Sequence, residues 1–202
     1  FYNCFVLIIR MLFNGQFKEC HTKVFNTGKI EIPGIKHECL YTKVLNTLIG
    51  YLKRDANLHL TWNRENMETV LINSNFNCGF NIKREALVHL LKVKYNLSTS
   101  FDPCSYPGIL CKFYYDANKL EQDGIEPMII KDIYIVSFMI FRTGSVLIVG
   151  KCTEEILHYI YTFIKRILCE EFSSIECPTP TTIKKPAIKK VKKRTIQIIN
   201  VI

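Results

Sequence analysis

Apolar positions along this chain recur at two spacings. In some stretches they alternate or run together over five to ten residues, as in strands. In others they return every three or four residues, as on one face of a helix. Leu40, Val44, Leu45, Leu48, Ile49 and Leu52 form one helical stripe. Ile156, Leu157, Ile160, Tyr161, Ile164, Ile167 and Leu168 form a second, and Ala86, Leu87, Leu90 and Leu91 mark the inward side of a third helix over Ile82–Tyr95. Strands are expected over Phe1–Met11, Thr69–Phe80 with an irregular Asn-rich part, Tyr106–Tyr114 and Ile133–Phe141. Between the last two, 116–131 reads as a polar connection that turns at Asp123-Gly124.

Two of these stretches are copies of one another. Residues 24–52 align without a gap on residues 140–168, so that Phe25 meets Phe141, Thr27 meets Thr143, Gly28 meets Gly144, Ile32 meets Ile148, Gly34 meets Gly150 and Glu38 meets Glu154. The shared pattern is a strand ending in F-x-T-G, a glycine able to take the positive φ of a tight hairpin, a short β-branched strand and a second glycine before an amphipathic helix. In the second copy Thr153 is a candidate N-cap, with Glu154 and Glu155 at the positive end of the helix dipole. A hairpin plus helix present twice implies a pseudo-twofold α+β chain whose helices cover one face of antiparallel sheet.

Composition narrows the function classes. Hydrophobic residues make up 48% of the 202 residues, enough for a sizeable core. The net charge is +9, of which Lys184, Lys185, Lys189, Lys190, Lys192, Lys193 and Arg194 supply seven, leaving +2 for the rest. Residues 178–202 contain no acid. Such a tail suits nucleic acid or another polyanion; a solvated tail and a nuclear-targeting cluster are the alternatives. The nine cysteines include no C-x-x-C pair and no finger-like histidine spacing, so no metal or other cofactor is expected. Several lie in apolar stretches as small hydrophobes, which points to a reducing compartment. No stretch reads as a bilayer span, and Phe1–Met11, which lacks the basic start and the cleavage site of a signal peptide, is expected to be a buried strand. No Ser/His/Asp, Cys/His or P-loop spacing occurs, and Glu121, Asp123 and Glu126 fall in a loop, so no enzymatic activity is expected.

Three segments carry a family resemblance. Leu71–Leu87 (LINSNFNCGFNIKREAL) resembles the first strand and helix of repeat two of the TATA-box-binding protein family. Ser100–Phe113 (SFDPCSYPGILCKF) resembles that repeat's stirrup and following strand, and Ile140–Lys151 (IFRTGSVLIVGK) its hairpin. Phe25–Gly34 (FNTGKIEIPG) is similar to the TATA-binding-like proteins of large nucleocytoplasmic DNA viruses. The likeness covers roughly residues 1–172. It implies a saddle: two pseudo-repeats forming one curved antiparallel sheet, with helices on the convex face. The implied divisions are a first repeat over 1–53, a linker over 54–68, a second repeat over 69–172 and a basic tail over 173–202. The opening strand and helix of the first repeat are then expected upstream of Phe1.

The resemblance also implies a mode of action. Such proteins lay the sheet's concave face in the minor groove of A·T-rich DNA and bend it with aromatic wedges. Phe141 and Tyr106 resemble the wedges of the second repeat; Phe25 and Tyr2 resemble those of the first. Asn73 or Asn75 resembles the asparagine that bonds minor-groove acceptors. Lys112 and Lys29 resemble phosphate contacts, and Met139, Leu147 and Val149 share the face of Phe141. Glu31 and Pro33 depart from the family pattern on that face. The implied partners are double-stranded DNA and transcription initiation proteins or RNA polymerase. The implied setting is intracellular: a cytoplasmic virus factory or the nucleus, with packaging in the virion as a further setting. The alternative is a scaffold of the same fold that binds transcription proteins and touches DNA weakly.

Overall fold

A computed structural model describes residues 3–178. The chain divides into two compact units, Phe1–Glu68 and Thr69–Ile202.

The first unit is a long hairpin with a helix on one face. β1 (Cys4–Phe13) pairs antiparallel with β2 (Gln16–Phe25) along its whole length. The two residues between them, Asn14 and Gly15, both take positive φ (50° and 75°), the conformation that lets a two-residue turn follow the strand twist. β3 (Ile30–Glu31) pairs with β2 after a turn at Gly28. Alternation sends Ile9, Phe13 and Cys20 to one face, where Leu40, Val44 and Leu48 of α1 (Glu38–Ala56) seal the core; the strand expected to be buried is therefore buried on that face only, and Val6, Ile8 and Leu12 on the other are exposed. Beyond α1, Trp62 donates to Asn46 (2.9 Å) and Arg64 pairs with Glu38, tying the chain back along the helix.

The second unit contains the larger sheet. Its elements are β4 (Ile72–Asn77), β5 (Asn81–Ile82), α2 (Arg84–Val93), β6 (Ser98–Ser100), β7 (Ile109–Asp116), β8 (Ile133–Ile140), β9 (Ser145–Gly150), α3 (Glu154–Glu170), α4 (Phe172–Ile175) and β10 (Glu176–Cys177). Five strands pair antiparallel in the order β4-β9-β8-β7-β6. Ile109, Cys111, Phe113, Val136, Phe138, Ile140, Val146 and Ile148 turn to one face, against Leu87 and Leu91 of α2 and Ile160, Ile164 and Ile167 of α3. Thr153 caps α3 as expected, accepting from the Ile156 N–H. Phe163, outside the expected stripe, is buried against the Phe113 ring (5.0 Å).

Two features were not anticipated. Residues 173–177, grouped with the tail on sequence, pack into this unit: Ile175 is fully buried and β10 pairs with β5. The connection 117–132 has internal structure. Gln122 is buried and bonds the backbone of Asp116 and Lys119, while its N–H donates to the Tyr159 hydroxyl. Among the described residues no helix is long and apolar enough to cross a membrane. All nine cysteines are unpaired, and burial pushes the Cys111 thiol up to about 12, consistent with an inert core residue.

The two copies of the hairpin glycine sit in different surroundings. Gly28 (φ 82°) has open space where a Cβ would go. At Gly144 (φ 79°) a Cβ would run into the Phe80 carbonyl and lie 2.8 Å from Cys78 Sγ. Gly28→Ala should cost about 1–2 kcal/mol from backbone strain alone. Gly144→Ala should cost clearly more, because a backbone atom blocks the methyl. Denaturant midpoints of the two variants test this.

A second prediction concerns acid. Glu171 is buried, ion-paired to Lys94 and accepting from the Tyr95 hydroxyl (2.7 Å). These partners hold its carboxyl below the usual range, so its stabilisation is present above the unfolded-state value and is lost as pH falls through the folded value. Glu171→Gln should flatten that acid limb in thermal melts taken across falling pH.

Candidate nucleic-acid interface

Because α2 and α3 cover only one side of the five-stranded sheet, every second residue faces away from them. On β8 and its end these are Met139 and Phe141; on β9, Leu147 and Val149; on β7, Leu110 and Lys112; on β4, Asn73 and Asn75. The register sets them in rows. Asn75, Leu147, Met139, Leu110 and Ser100 lie side by side, as do Asn73, Val149, Ser137, Lys112 and Ser98. The first row is an apolar strip with an amide at one end. The second carries hydroxyls and a cation.

Phe141 lies one step beyond β8, where its N–H donates to the Ser145 carbonyl (2.9 Å). Its ring meets Tyr106 edge-on, with centroids 5.9 Å apart. Gly108 lies beneath both: a Cβ there would sit 3.0 Å from Phe141 Cε1 and 3.0 Å from Tyr106 Cε1. The glycine of Tyr-Pro-Gly therefore lets the two rings settle on the backbone. The turn that presents Tyr106 is braced from both sides. The Asp102 carbonyl accepts from the Tyr106 N–H (2.9 Å), and its carboxylate accepts from the Cys104 N–H (3.0 Å) and the Ser105 hydroxyl. Those donors hold the Asp102 carboxyl below its usual range. From α2, Arg84 donates to the Pro107 carbonyl (2.5 Å) and stacks 5.0 Å over Phe101. Between Tyr106, Leu110 and Met139 the surface dips into a shallow apolar concavity of about 410 Å³.

The first unit repeats this geometry with different chemistry. Phe25 pairs with Cys4 and faces away from α1, since its neighbour Val24 packs into the core. On that same face Glu31 stands where Leu147 stands in the second unit, and Lys23 where Met139 stands. Lys29 forms an ion pair with Glu31 (3.1 Å). β3 is two residues long against six in β9, because Pro33 has no N–H with which to continue the ladder. Tyr2 lies outside the described residues, as do Lys184, Lys185, Lys189, Lys190, Lys192, Lys193 and Arg194.

Three contributors escaped the sequence reading. Leu110 was discoverable, because strand alternation from Lys112 places it on the same face. The support from Gly108 and the brace from Arg84 had no local signal; they depend on β7 lying beside β8 and on α2 ending near the turn.

No family model matches the chain. A curated protein of Acanthamoeba polyphaga mimivirus, described as "TATA-box-binding protein-like", is 23% identical over 194 residues, covering 87% of this chain. The chain spans about half the length of that relative, 50% of it being covered. Among solved structures, Methanococcus jannaschii TBP superposes with a TM-score of 0.50 at 20% identity, over 75% of this chain and 73% of that one. In sequence the chain is thus similar to a viral protein described as TATA-box-binding protein-like, and in structure it shares the α+β fold of an archaeal TBP.

Proposed function

We propose that this chain is a transcription initiation factor that binds and bends A·T-rich duplex DNA through the uncovered sheet face. The observation that carries the reading is the Tyr106–Phe141 ring pair, set on that face at the end of the strip formed by Leu110, Met139 and Leu147. Apolar side chains on an open sheet face are costly in water unless a partner covers them. A widened minor groove is a suitable cover, since its floor is apolar and its few polar groups are acceptors. Asn73 and Asn75 would donate to those acceptors. Phe141 and Tyr106 would enter a base step, an unstacking that costs a few kcal/mol and is recovered by apolar contact with the opened groove. Flexible A·T-rich steps reduce that cost, so sequence preference would come from deformability. Lys112 would neutralise a phosphate. In the first unit, Phe25 and Tyr2 would form the matching wedge, with Lys29 beside a phosphate.

The scaffold reading is favoured by one observation, the Lys29–Glu31 pair. A carboxylate on the DNA-facing side repels phosphate, and the lysine beside it is already engaged. The first unit would then contribute less to DNA affinity than the second, and transcription proteins would be its natural partners.

The test is binding of the intact chain to short A·T-rich and G·C-rich duplexes across a salt series, with bending followed by end-to-end energy transfer. On the DNA reading, A·T-rich duplexes bind more tightly and bend. Phe141→Ala weakens binding by about 1–3 kcal/mol, the scale of one lost aromatic–base stack, and reduces the bend. On the scaffold reading, binding follows salt alone through the basic tail, without sequence preference, and Phe141→Ala changes nothing. Glu31→Leu separates the units' contributions. It should raise A·T-rich affinity if the first unit meets DNA, and a measured constant unchanged by that substitution would assign the groove to the second unit alone.

A further inference from the structure

The second repeat carries a device that the first lacks. β1 and β2 are joined by Asn14-Gly15 alone, whereas their counterparts β7 and β8 are joined by residues 117–132. This insertion is anchored at its base. Beyond the Gln122 bonds, the Gly124 carbonyl accepts from the Tyr114 N–H (3.2 Å), and a Cβ on Gly124 would lie 2.6 Å from the Phe113 ring. Burial raises the Tyr114 hydroxyl's pKa, and its hydrogen bond to Glu126 raises it further. Past this anchor the loop displays Met128, fully exposed, Ile129 at 77% and Ile130 at 56%, and Leu120 is fully exposed as well. Four large apolar side chains in water on one pinned loop leave an unpartnered surface. Around them Glu121, Asp123, Glu126 and Asp132 outweigh Lys119 and Lys131.

A fitting cover for this surface is apolar and basic, and the chain contains such a segment. Residues 179–202 interleave Ile183, Ile188 and Val191 with the lysines and contain no acid. Reach is not limiting. The Tyr159 hydroxyl touches the Gln122 backbone, and α3 spans only about 17 Å from there to its C-terminal end. The segment leaves the unit just after β10, and fully extended it covers roughly 80 Å. We propose that residues 179–202 dock on the 117–132 loop of the same chain, with isoleucine and valine side chains against Met128–Ile130 and lysines facing the surrounding carboxylates. The tail then has two competing polyanions, this loop and any nucleic acid. The docking itself does not depend on the DNA reading.

Zero-length carbodiimide crosslinking of the intact chain, mapped by mass spectrometry, tests this directly. Mixing isotopically light and heavy chains separates links within a chain from links between chains. The expected result is intrachain links from the lysines at 184–193 to Glu121, Asp123, Glu126 or Asp132. Their yield should fall about tenfold in 1 M salt, where screening is effective beyond about 3 Å. The triple substitution M128S/I129S/I130S, which touches no buried residue, should lower it as well. Links spread evenly over other exposed carboxylates such as Glu154 and Glu155, links only between different chains, or a loop–tail yield indifferent to salt would each overturn the proposal.

Discussion

Side chains on a β-strand alternate, and in the second unit one side of the sheet is covered by helices while the other is not. Once Phe138 and Ile140 are seated beneath α2 and α3, Met139 and Phe141 have nowhere to go but the opposite face. The same holds for Leu147 and Val149 against Ile148, and for Leu110 and Lys112 against Cys111. A one-residue slip of register would bury Phe141 and expose Phe138. The packing of the core therefore holds the candidate interface in place, although none of the interface residues belongs to the core.

The two repeats show how one backbone plan diverges under different local demands. Gly28 and Gly144 occupy the same turn and share the same positive φ, yet only Gly144 is crowded, because the segment 78–80 crosses over it. The first unit has no such crossing segment among its described residues. β9 runs six residues where β3 manages two, and the difference traces to Pro33. The hairpin that closes in two residues in one copy opens into the 117–132 loop in the other. Helix packing is the shared element; turns, edges and open faces have varied around it.

That variation has chemical consequences. The open face of the second unit is an apolar strip with amides and hydroxyls beside it. The corresponding positions of the first unit hold Glu31 and Lys23, with Lys29 drawn to Glu31. Duplicated architecture thus comes with unequal surfaces: the first unit's open face mixes the exposed Val6, Ile8, Leu12 and Phe17 with Lys23 and Glu31.

The repeat, its two amphipathic helices, the N-cap at Thr153 and the alternation that separates Phe141 from Ile140 were all legible in the amino-acid sequence. Each is a short-range property, set by periodicity or by the backbone preference of a single residue. The pairing of Tyr106 with Phe141 over Gly108, the brace from Arg84, the burial of Gln122 and the packing of residues 173–177 were not legible. Those features depend on which strands become neighbours and which loop returns to which helix, and contacts between residues far apart in the chain leave no periodic trace along it. Strand order, set by the whole core at once, decided them.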